Sequence, residues 1–154
     1  MPPPLREVGA FATVSALMIV AGGLVAAVNS ASPFDHGSWL AAYAVLVGGV
    51  SQLALGAGPL VLPAPRRSVW LRRSQLGLWN AGTVVVAVGV FVDSDAVVLA
   101  GSGLVLAALG CFAVGGGRGR PGAHRTVAIY RSVIGALAIS VLVGSVLAGA
   151  TPGS

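Results

Sequence analysis

Pro63-Ala64-Pro65-Arg66-Arg67-Ser68-Val69-Trp70-Leu71-Arg72-Arg73 separates two long apolar runs and holds four of the nine arginines of a chain that has no lysine. Its prolines end the run before it, because a residue without an N–H and with a fixed φ cannot continue a helix. Outward from this segment the other arginines follow the same rule. Arg6 precedes the first apolar run, Arg118, Arg120 and Arg125 lie in the segment 115–126, and Arg131 stands one turn into the last run. The intervening connections carry none: 29–38 has Asp35 and His36, 93–95 has Asp93 and Asp95, and the tail 151–154 has no charged side chain. Arginine thus recurs at every second connection. Loops retained in the cytoplasm keep Arg and Lys, so the alternation predicts an odd number of spans with the N-terminus cytoplasmic and the C-terminus outside.

The spans are read near 8–28, 39–62, 76–92, 96–114 and 127–148, with basic inner loops at 63–75 and 115–126. Each approaches the ~20 residues that a helix needs to cross roughly 30 Å of hydrocarbon. Transmembrane β-strands would be about ten residues long and alternate apolar with polar, whereas these runs are apolar on every face. The expected fold is therefore all-α: one integral membrane bundle of five transmembrane helices occupying 1–154.

Composition agrees, with 56% hydrophobic and 8% charged residues and a mean hydropathy of +0.93. A soluble domain of this length needs far more charge to cover its surface. The net charge of +5 sits in short loops beside apolar spans. This reads as orientation and attraction to anionic headgroups on the inner face, and no nucleic-acid partner is expected. The first run is too long for the 7–15-residue core of a signal peptide, so it is read as a retained span. Arginine without lysine, beside abundant Ala, Gly and Val, suggests a GC-rich bacterial coding sequence and hence a bacterial cytoplasmic membrane.

The Asp93-Ser94-Asp95 turn forces its flanking helices to be antiparallel neighbours, with Asp95 placed to cap the second of them. Trp39 and Tyr43 on one side, and Trp70 and Trp79 on the other, match aromatic belts at headgroup level. Trp70, between the pairs Arg66–Arg67 and Arg72–Arg73, completes a segment expected to contact lipid headgroups, with docking of a soluble partner as the alternative.

Candidate ligand-binding residues are the polar side chains inside the spans: Gln52 in the second, Asn80 in the third, and Tyr130 with Arg131 in the fifth. Counting helical rise puts Asn80 and Arg131 roughly 6 Å from the inner ends and Gln52 roughly 15 Å. One reading is structural, with interhelical hydrogen bonds from the amides and Arg131 snorkelling to the headgroups. The other is a cytoplasm-facing polar pocket. With neither carboxylate nor imidazole in the set, no proton relay or general base is expected there.

On the outer side, Asp35, His36, Asp93 and Asp95 form a candidate metal set if their loops adjoin. His36 and His124 lie on opposite sides of the hydrocarbon and cannot share one haem or metal. The lone Cys111 excludes an intrachain disulfide and behaves as a small hydrophobe. HExxH, CxxC, nucleophile-elbow and P-loop patterns are absent, and the glycine-rich stretch 115–122 reads as a flexible basic linker. No cofactor is predicted.

Small residues recur at helical spacing: Gly48, Gln52 and Gly56; Gly103, Ala107 and Cys111; and Ala136, Ser140, Gly144 and Ala148. Such faces let helices approach closely. Together these features predict a non-enzymatic accessory or assembly subunit, with other membrane subunits or copies of itself as partners. The alternatives are a small transporter or channel component with a polar path near Gln52, Asn80 and Arg131, and a metal- or haem-binding protein that uses His36.

Overall fold

The computed structural model describes residues 3–58, 68–115 and 124–150, which are helical apart from short turns and helix ends, with no strand among them. Five helices follow in order: α1 (Pro3–Ala31), α2 (Gly37–Gly56), α3 (Val69–Phe91), α4 (Asp95–Gly115) and α5 (His124–Ala150). Four of them, α1 to α4, are long and apolar enough to cross a membrane, and α5 carries the apolar stretch Val127–Val143. The fold is that of a multi-pass membrane protein.

Two compact units divide the chain, Met1–Leu60 and Val61–Ser154. In the first, α1 and α2 form an antiparallel hairpin. Its turn is held by Asn29, whose Oδ1 accepts from the Phe34 backbone N–H at 3.2 Å, and by His36, which adopts a left-handed φ of 61° immediately before α2. The packing is set by glycine. Along the seam, Gly22 faces Val45 and the Ala41 carbonyl, Gly48 faces Met18, Gly49 faces Ile19 and the Ser15 carbonyl, and Gly56 faces Phe11. Phe11 and Leu55 are buried at one end. The central stretch of α2, Ala44–Ser51, is π-helical, so the helix widens where its two adjacent glycines meet α1.

In the second unit, α3 and α4 form a hairpin and α5 packs on α4. The turn is a Schellman closure: Ser94 N–H donates to the Gly89 carbonyl at 2.9 Å and Asp93 N–H to the Val90 carbonyl at 3.4 Å, while Asp93 takes the left-handed position at φ 54°. Asp is among the few residues other than glycine that tolerate it. Glycines again bring backbones together, with Gly82 and Gly101 opposite one another and Gly89 against Val98. Trp79 and Phe112 fill the interior in an edge-to-face pair with ring centroids 6.3 Å apart.

The structure differs from the sequence reading at three places. The expected loop 63–75 is helical from Val69, because the Ser68 hydroxyl accepts from the Trp70 N–H at 3.2 Å and starts α3 there. Trp70, Arg72 and Arg73 therefore stand on the first turns of a helix. Asp95 is not the cap of α4: the Ser94 carbonyl accepts the Val98 N–H, and Asp95 lies one position inside, where its carboxylate still complements the helix dipole. Trp79 is not a belt residue, being only 1% exposed, whereas Trp70 is 77% exposed.

Candidate functional site

Polar groups inside apolar helices need partners, and four of the described ones find them within their own helix. The Thr13, Thr83 and Ser140 hydroxyls donate to carbonyls four residues earlier, at 2.9, 2.8 and 2.9 Å. Asn80 does likewise, with Nδ2 donating to the Leu76 carbonyl at 2.8 Å. Its Oδ1 is buried without a partner. Gln75, 1% exposed, reaches across the α3–α4 hairpin, its Nε2 donating to the Cys111 carbonyl at 2.9 Å. Bonds of this kind contribute on the order of 0.6 kcal/mol in a bilayer.

Gln52 behaves differently. It is fully buried, and neither its Nε2 nor its Oε1 has a hydrogen-bond partner. Ser15 on α1 is also buried, at 1% exposure, and its Oγ is unpartnered. The Gly48–Gln52–Gly56 face expected from the sequence does pack, since both glycines abut α1 side chains. Ser15 had no sequence signal beyond being one serine in an apolar run. Gln75, Thr83 and Ser102 are the other buried polar residues that the sequence reading passed over.

The remaining predicted ligand residues belong to the second unit, while Gln52 belongs to the first. Within α5, Tyr130 is buried at 8% exposure whereas Arg131, its neighbour, is exposed. These two side chains leave the helix in different directions, and Arg131 suits a headgroup or a partner better than a pocket.

The candidate metal residues are likewise split, with Asp35 and His36 exposed at the α1–α2 turn and Asp93 and Asp95 exposed at the α3–α4 turn. Among the described residues, no three His, Cys, Asp or Glu side chains form a group that could hold a metal ion. Of the headgroup residues, Arg73 and Trp70 are exposed and Arg72 is half-buried; Arg66 and Arg67 lie outside the described residues.

A further surface emerges on α4. Val105, Ala108, Leu109 and Phe112 are buried on one side of the helix. On the opposite side, Ala96, Ala100, Gly103, Ala107 and Gly110 are all exposed at alternating spacings of four and three residues. A Cβ added at Gly103 or Gly110 would meet nothing within 4 Å. This is a smooth, narrow track at the spacing of a helix–helix seam. The sequence reading found part of it, but joined Gly103 and Ala107 to Cys111, which is half-buried to one side.

These features define a polytopic, all-helical membrane protein. No family model, curated protein or solved structure matches the chain.

Proposed function

We propose that this protein is a non-enzymatic subunit of a larger membrane assembly, and that α4 is the helix through which it attaches. The observation that carries the reading is the track Ala96–Ala100–Gly103–Ala107–Gly110. In lipid, an exposed Leu or Val face gains nothing from being covered, since lipid tails are equally apolar. Small residues are different. They let a second helix come close enough for backbone contacts, which lipid chains cannot reproduce as well.

The test is recovery of the tagged chain from its native membrane in mild detergent, with mass spectrometry of whatever accompanies it. A stoichiometric membrane partner is expected, and Gly103→Leu combined with Ala107→Leu should abolish its recovery while the chain remains folded. Recovery of the chain alone overturns the reading. Recovery only as a multimer of itself, lost in the same double variant, makes the partner helix another copy of α4.

The membrane orientation belongs to the same proposal. The arginine-bearing connections face the cytoplasm and the 29–38 turn faces outward, in what the Arg-only composition suggests is a bacterial cytoplasmic membrane. On a Cys111→Ser background, a membrane-impermeant maleimide is expected to label Asp35→Cys in intact cells and Val69→Cys only after permeabilisation. The reverse pattern would refute the arginine argument.

A further inference from the structure

The α1–α2 seam contains three unpartnered polar atoms, Ser15 Oγ, Gln52 Nε2 and Gln52 Oε1, all out of contact with solvent. Both side chains lie in the same packed stripe. Gly49, three residues before Gln52, faces the Ser15 carbonyl, where an added Cβ would stand 3.3 Å from the oxygen. Gly56, four residues after Gln52, faces Phe11, four residues before Ser15. Ser15 and Gln52 are thereby placed at one level of the hairpin.

The usual local remedy is not taken. Thr13, in the same helix, returns its hydroxyl to the Gly9 carbonyl, whereas Ser15 makes no such bond. A glutamine could also reach a carbonyl across the seam, as Gln75 does in the other hairpin. Gln52 leaves both ends of its amide open instead. A second peculiarity adjoins it: the π-helical stretch Ala44–Ser51 ends at the residue before Gln52. π-Helical distortions cost hydrogen-bond quality and concentrate at functional sites.

We propose that Ser15 and Gln52 form a site for a small neutral molecule that both donates and accepts hydrogen bonds. The atom set selects this class. A cation would satisfy Oε1 and Oγ but face the Nε2 amide protons; an anion would satisfy Nε2 and the hydroxyl but face Oε1. Either would also be an uncompensated charge, since the side chains that the seam glycines meet, Phe11, Met18, Ile19 and Val45, are all apolar. A neutral donor–acceptor satisfies all three atoms, and about three hydrogen bonds is the usual complement of a buried water. The glycines keep the helices close, so the occupant is small. Ordered water and a small amide-like solute such as urea share this chemistry. The inference is independent of the attachment proposed for α4 and stands if that fails.

The chain has only two glutamines, Gln52 and Gln75. Full-length protein labelled with 15N at the glutamine side chain, in bilayers of deuterated lipid, therefore gives two side-chain amide signals in solid-state NMR. Gln52→Leu assigns them by removing one.

Magnetisation transfer from water to the Gln52 amide is expected, and it should fall several-fold in Ser15→Ala while the Gln75 signal keeps its rate. Such transfer, unaffected by added urea, assigns the site to ordered water. A saturable shift of the Gln52 signal on titration with urea, lost in Ser15→Ala, assigns it to a small solute. A Gln52 amide that neither receives magnetisation from water nor responds to urea overturns the proposal. So does transfer or a shift that persists unchanged in Ser15→Ala.

Discussion

Gly82→Ala, Gly89→Ala and Gly101→Ala are each expected to destabilise the α3–α4 hairpin, whereas Gly77→Ala in the same helix as Gly82 is expected to stabilise it slightly. At Gly82 an added Cβ would stand 2.8 Å from the Val105 nitrogen and 2.9 Å from the Gly101 oxygen. At Gly101 it would stand 2.6 Å from the Val86 nitrogen, and at Gly89 2.7 Å from the Val98 nitrogen. These are backbone atoms, which cannot swing aside as a side-chain tip can. Relief requires the helices to separate by a fraction of an ångström along their whole contact. Overpacking of this kind costs about 1–3 kcal/mol per site. The three substitutions act on one crossing, so their effects should not add.

Gly77 meets nothing within 4 Å, and there the gain is the lower backbone entropy of alanine in a helix, up to about 1 kcal/mol. Reversible unfolding in mixed micelles, followed by helicity, reads both signs. Destabilisation at Gly77 equal to that at Gly82 would run against helix propensity and show that close approach is not what sets the cost at these positions.

The sequence was informative where a physical signal accumulates along the chain. Membrane spans are recognised from twenty consecutive apolar residues, so helix class and the approximate positions of the five helices were legible. The α3–α4 hairpin followed from a turn too short for any other geometry. Signals that depend on one atom reaching another across a seam do not accumulate. Ser15 and Thr13 are two hydroxyl residues in one apolar run, and nothing in their order says that Thr13 will bond its own helix while Ser15 will not.

Helix ends were blurred for a related reason. A charged segment reads as loop on hydropathy alone, yet the Ser68 cap lets α3 begin three residues before Arg72. The α4 track shows the opposite case. Its residues are all visible as small, but with 23 glycines in the chain many such patterns arise by chance. Only the buried face on the other side of the helix singles this one out.

Trp79→Ala is expected to be among the most damaging single substitutions in the second unit, and Trp70→Ala to be close to neutral. A position-based reading treats them alike, since both lie near the boundary where aromatic belts form. The structure separates them: Trp79 is 1% exposed with its ring edge-on to Phe112, which is fully buried, while Trp70 is 77% exposed. In water, truncating a buried tryptophan costs roughly 3–5 kcal/mol, part of it transfer and part cavity. In a bilayer the separated helices expose the ring to lipid and not to water, so most of the transfer term disappears.

What remains is the lost dispersion contact, the cavity beside Phe112 and the edge-to-face preference, itself worth about 0.5–1.5 kcal/mol. The cost should therefore fall below the soluble range yet stay well above the ±0.5 kcal/mol typical of an exposed site such as Trp70. Trp79→Phe keeps an aromatic edge toward Phe112 and should recover part of the loss. Phe112→Ala combined with Trp79→Ala should cost less than the sum of the two singles, because the second truncation removes a contact already broken. Measured unfolding free energies in which Trp70→Ala matches Trp79→Ala would return both residues to the headgroup belt and remove the aromatic core from the α3–α4 hairpin.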